Sequence, residues 1–121
     1  MGFDDYKLIF KAATSSNLEL AQTTISEDQK KTTIYVNLEP PNNNVMIDFT
    51  IKNTGNYQVV INNLIIENDN KNLKIDVVNF NNRLLTPILV NETIPGSIYI
   101  TSNTKIKTSF DVSIDYTPLK N

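Results

Sequence analysis

Between residues 105 and 116 hydrophobicity changes with every step along the chain: Ile106, Thr108, Phe110, Val112, Ile114 and Tyr116 alternate with Lys105, Lys107, Ser109, Asp111, Ser113 and Asp115. Successive side chains of an extended strand point to opposite faces, so this pattern places one set against a core and leaves the other in water. The same period recurs along the chain. Tyr6, Leu8, Phe10 and Ala12 alternate with Lys7, Ile9 and Lys11, and Ile34, Val36 and Leu38 form another set. Val45, Ile47, Phe49 and Ile51 alternate with Met46, Asp48, Thr50 and Lys52, and Leu73, Ile75 and Val77 follow the same rule. Half-buried strands of this kind belong to antiparallel sheets with one wet face.

Residues that break the ladder separate these runs. Pro40-Pro41 stops the strand of Ile34 to Leu38, because proline supplies no backbone donor, and Asn42 to Asn44 turns the chain. The stretch N-T-G-N, residues 53–56, ends the Val45 to Lys52 strand at a hairpin or corner. Val59 and Ile61 share one phase and Leu64 and Ile66 the other, so Asn62-Asn63 is expected to carry a bulge, which reverses the facing of every later side chain. Leu18 and Leu20 predict a short second strand over Ser16 to Ala21, Pro87 demotes Leu84 to Val90 to an edge or irregular strand, and Ile98 and Ile100 mark a short strand after Pro95-Gly96. Helix signals, a capping Ser and early acids, occur only in Ser26 to Thr33. With 3 glycines and abundant Asn, Asn is expected at turn positions that need a left-handed backbone. Eight or nine short strands spaced by roughly ten residues predict an all-β chain folded as an antiparallel β-sandwich of jelly-roll or Ig-like type.

The 121 residues suffice for one core, since a chain of this size buries about two thirds of its unfolded surface. Residues 1–12 read as an N-terminal strand and residues 13–121 as a single sandwich domain with no internal repeat. Histidine and cysteine are both missing, which excludes Ser-His-Asp and Cys-His catalysis and every imidazole or thiolate metal site. Asp111 and Asp115 share the wet face of the last strand, but four residues of strand separate them by about 13 Å, too far for a catalytic pair. Asp4-Asp5 and Glu27-Asp28 read as solvated charges rather than a calcium site, which needs about six converging oxygens. No enzyme activity, catalytic residue, cofactor or metal is therefore expected. The net charge of -2 is distributed mostly as single residues, so there is no basic stripe for nucleic acid and no polybasic membrane patch. No apolar run is long enough for a transmembrane helix or the core of an export signal. Tyr6, Tyr35, Tyr57, Tyr99 and Tyr116 lie on five separate segments and read as core-edge residues rather than a sugar platform. Asn91-Glu92-Thr93 fits a glycosylation acceptor, a pattern too short to discriminate.

The first strand raises a separate question. It is apolar, terminal and cheaply detached, whereas sandwich edges are normally blunted by charge, proline or bulges. Such a segment serves either as an ordinary edge strand or as a strand inserted into the sheet of a neighbouring subunit.

Two stretches carry a resemblance that bears on this choice. F-D-D-Y-K-L-I-F-K-A-A-T-S-S-N-L-E-L-A, Phe3 to Ala21, and N-L-E-P-P-N-N-N-V-M-I-D-F-T-I-K-N-T-G-N, Asn37 to Asn56, resemble two blocks of the TasA and camelysin-like family, in the same order. Pro41 and Ser15-Ser16 stand where that family has glycine. The resemblance implies a secreted jelly-roll subunit of biofilm-matrix fibres or bundled pili, extracellular, assembled head to tail with copies of itself by donor-strand exchange and meeting other matrix components. Residue by residue, it assigns the donor role to Tyr6, Leu8, Phe10 and Ala12. The alternative is a monomeric Ig-like accessory or carbohydrate-binding module of a surface protein.

Overall fold

A computed structural model describes residues 6–119 as a two-sheet antiparallel sandwich. The strands are β1 (Leu8–Ser15), β2 (Ala21–Ile25), β3 (Lys31–Leu38), β4 (Asn44–Asn53), β5 (Val59–Glu67), β6 (Leu73–Val78), β7 (Pro87–Ile88), β8 (Thr93–Ser102) and β9 (Ile106–Pro118). One sheet has the order β1-β4-β8-β6, the other β2-β3-β9-β5-β7, and every pairing is antiparallel. A single 3-10 turn, Asn81–Arg83, is the only helical element among the described residues.

The period-two residues supply the core. Val45, Ile47, Phe49 and Ile51 of β4 and Ile94, Ile98 and Ile100 of β8 face Ile34, Val36 and Leu38 of β3 and Ile106, Phe110 and Val112 of β9. Each such side chain contributes roughly 1.5–3 kcal/mol by leaving water, which makes the alternation the main determinant of register. In β5 the register slips between Ile61 and Asn63, so that Val59 and Ile61 before the slip and Leu64 after it are all buried, and the expected bulge is present.

Three local expectations give way to other physics. Residues 16–20 form a turn and not a strand: Asn17 Oδ1 accepts the Glu19 amide at 2.9 Å, and the Asn17 carbonyl accepts the amides of Leu20 and Ala21, both at 3.0 Å. That Asx-type turn outcompetes the two leucines, and Leu18 is left 68% exposed while the β-branched run T-T-I becomes β2. Ser26 to Lys30 is the tip of the β2–β3 hairpin rather than a helix, closed by Lys31 N to Ser26 Oγ at 3.1 Å and by the Ser26 amide on the Lys31 carbonyl at 2.8 Å. Pro95-Gly96 lies inside β8 and not before it. β6 pairs with β8 only as far as Ser97, so Pro95 sits where β8 has no neighbour on that side. Gly96 is required there, because a Cβ would stand 2.7 Å from Cδ1 of Phe80 and closer still to the Phe49 ring.

Candidate functional site: the first strand and the sheet edges

β1 extends the four-stranded sheet at one edge, paired with β4 from Leu8 opposite Asn53 to Ser15 opposite Ile47. It runs through residue 12 without a break from the rest of the sandwich. The register slips between Phe10 and Ala12, with Lys11 as the extra residue. This bulge divides the residues assigned to the donor role. Leu8 and Phe10 are buried in the core, with exposures of 0% and 1%, and the Phe10 ring meets Phe49 edge-on at 6.1 Å. Ala12 is turned to solvent and Ala13 packs on the core in its place. Tyr6 precedes the strand, exposed, with its ring edge-on to Tyr116 at 6.4 Å.

On its other side β1 meets the second sheet through a few bonds only. Phe10 N donates to the Gln29 carbonyl at 2.8 Å and Thr23 Oγ1 to the Ala13 carbonyl at 2.7 Å. These close the sandwich along β1 and β2. Beneath them Thr32 Oγ1 is buried without a hydrogen-bond partner among the described residues, against a cavity of about 10 Å³ lined also by Phe10, Ala13 and Phe49.

The corner after β4 is built on Asn53, which is fully buried. Its Nδ2 donates to the carbonyls of Tyr57 at 2.8 Å and Ile88 at 3.2 Å, and its Oδ1 accepts the Gly55 amide at 3.0 Å. Its own backbone bonds Glu92 O and Asn91 N. The N-T-G-N stretch signalled a turn; that its first residue also ties β7 to the corner depends on a contact 35 residues away in sequence and left no local signal.

Asp111 accepts the Thr33 hydroxyl at 2.7 Å and lies 3.8 Å from Lys31 Nζ, and Asp115 is exposed opposite Asn63. Asp28 accepts Ser26 Oγ at 2.6 Å and the Lys30 amide at 3.1 Å. Those bonds, the Ser26 hydroxyl first, hold its carboxyl below the ordinary aspartate range. Asp4 and Asp5 lie outside the described residues. Among the described residues no group of three or more acidic side chains converges on a point that could hold a metal ion, and no helix is long and apolar enough to cross a membrane.

The tyrosines lie on different surfaces: Tyr35 on β3 in one sheet, Tyr99 on β8 in the other, Tyr6 beside Tyr116. Tyr35 lines an open groove of about 490 Å³ with Leu18, Gln22, Asn37 and Lys107. Asn91 is exposed in a left-handed turn, φ 70°, beside the Arg83–Glu92 ion pair of 3.0 Å. Compared with known protein families, curated proteins and solved structures, the chain matches none.

Proposed function

We propose that this protein is a non-enzymatic structural subunit of an extracellular filament, a biofilm-matrix fibre or pilus, in which β1 of one copy occupies the β1 seat of the next. The observation that carries the reading is the seat itself. An N-terminal strand with Leu8 and Phe10 wholly buried is laddered to one neighbour, β4, and tied to the second sheet by few bonds. Exchange of identical strands re-forms in the neighbour every contact broken at home, so its net cost is small, and a head-to-tail exchange that does not close on itself yields a fibre. The turn at residues 16–20, between β1 and β2, is the segment that would straighten. The resemblance of residues 3–21 and 37–56 to fibre subunits supports the same assignment.

Negative-stain electron microscopy of the concentrated protein, beside a variant lacking residues 1–12, tests this. Filaments are expected from the full chain and not from the truncation. Removing Leu8, Ile9 and Phe10 costs roughly 5 kcal/mol or more of burial, comparable with the whole stability of many domains, so the truncated chain is also examined with a peptide of residues 6–16 in trans. The peptide is expected to bind and restore its melting temperature. Monodisperse particles from the full chain at every pH and salt concentration would sink the filament reading.

A second reading, a monomeric carbohydrate-binding module, is favoured by β1 docking in its own sheet and by the groove at Tyr35 with its amide side chains, Gln22 and Asn37. Glycan-array binding by monodisperse protein, lost on Tyr35→Ala, would establish it.

A further inference from the structure

We infer that β6 is a pairing edge for a second copy of this chain, joined antiparallel about a two-fold axis centred on Ile75. The four outer strands of the two sheets differ in how they are protected. β1 carries a bulge and is tied to the β2–β3 hairpin, through Phe10 N to the Gln29 carbonyl at its tip and through Thr23 Oγ1 of β2. β2 is five residues long and shares the Thr23 tie. β7 has two residues, one of them Pro87, and the part of β5 beyond it is kinked by the Asn62 bulge and crossed by the Leu85 amide on the Ile61 carbonyl at 2.9 Å. β6 has six residues, L-K-I-D-V-V, with no proline, no register slip and no strand beyond it among the described residues. Its nearest side-chain tie, Asn68 Nδ2 to the Leu73 carbonyl at 3.4 Å, lies at its first residue.

Charge on an outer strand ordinarily prevents such pairing. On β6 the charges are of opposite sign and two residues apart, Lys74 and Asp76, on the same outward face. Laid antiparallel on a copy of itself with Ile75 opposite Ile75, the strand puts Lys74 opposite Asp76 and Asp76 opposite Lys74, and brings Leu73 opposite Val77 on the inner face. Both ion pairs form at once, by symmetry, at the spacing of cross-strand neighbours. Within one copy the same two groups make only a long contact of 3.9 Å between side chains 74% and 50% exposed. On the inner face Ile75 and Val77 are half-buried, although the corresponding residues of inner strands β4 and β8 are buried, and a second copy's Ile75 and Leu73 would lie against them. Six residues a side make a small contact, so the pairing is weak and reversible. It is independent of β1 and would join two filaments, or two monomers, side by side.

Sedimentation equilibrium of the full chain, alone and as Lys74→Glu and Asp76→Lys variants, tests the register. Both positions are exposed, so the fold is expected to be unchanged. Each single reversal places two like-charged pairs across the axis and is expected to weaken association about tenfold or more, while an equimolar mixture of the two variants, in which every cross-axis pair is again opposite in sign, is expected to associate as the unaltered chain does. Single reversals that associate like the unaltered chain, a mixture that stays dissociated, or an unaltered chain with no two-fold species up to about 1 mM would each overturn the assignment.

Discussion

Asn53 shows how much one residue can hold. Nothing in its buried environment replaces the three bonds its amide makes to Tyr57 O, Ile88 O and Gly55 N. Asn53→Ala is expected to cost about 2–4 kcal/mol in urea unfolding, since two carbonyls and one amide lose a partner away from water. A loss under about 1 kcal/mol would show that the corner reorganises. Thr32 is the converse case: its hydroxyl is buried with no partner among the described residues, so exchanging it for a methyl removes a desolvated polar group at constant volume. Thr32→Val is expected to stabilise the fold by about 1 kcal/mol, read as a higher melting temperature, and a fall in that temperature would mean that the hydroxyl is satisfied in solution. Turn residues bear on the same scale. Of the four non-glycine residues with positive φ among the described residues, Asn79 and Asn91 fit the expectation that asparagine takes the left-handed positions, and no described glycine has positive φ. Gln29 and Leu85 do so as well, and no propensity foretold them.

The elements divide according to whether their boundaries are set locally. β3, β4 and β9 follow their alternation closely, because each has a wet face and a dry face and a one-residue slip would exchange them. β5 was legible too, bulge included, from the change of phase between Ile61 and Leu64. β1 departs from its pattern at its centre: Ala12 continues the alternation of Leu8 and Phe10 in sequence, but the Lys11 bulge turns it outward. The β2–β3 hairpin carries a pH dependence at its tip. The Ser26 hydroxyl and the Lys30 amide bind the ionised form of Asp28 and hold its carboxyl below the ordinary aspartate range. A depressed folded-state value means that the contribution to the hairpin is complete above the unfolded aspartate range and is lost as pH falls through the folded one. An NMR titration of the Asp28 carboxyl is expected to show a midpoint below that of an unperturbed aspartate, moving upward in Ser26→Ala; an unchanged midpoint in that variant would remove the hydroxyl as the cause.

For the whole molecule, the topology sets an order of protection. β4, β8, β3, β9 and β5 each lie between two strands, whereas β1, β6, β2 and β7 have one strand neighbour among the described residues. Amide hydrogen exchange is expected to be slowest in the first set and to reach β1 by a sub-global opening before the core unfolds, as strand exchange requires. β1 amides that exchange only with global unfolding would argue against a detachable strand. Of the fold, the sequence by itself determined the all-β class, the antiparallel sense and most of the core, because a period of two is a local property that survives any arrangement of the strands. It also determined that imidazole and thiolate chemistry have no place here, since those groups are not in the chain. Tertiary structure alone decided which strands became edges, that Asn53 would meet Ile88, that Gly96 would lie under Phe49 and Phe80, and that Lys74 and Asp76 would stand on an uncovered strand. Each of these depends on a partner far away in sequence, and hydrophobic period specifies which face a residue takes without specifying what lies beside it.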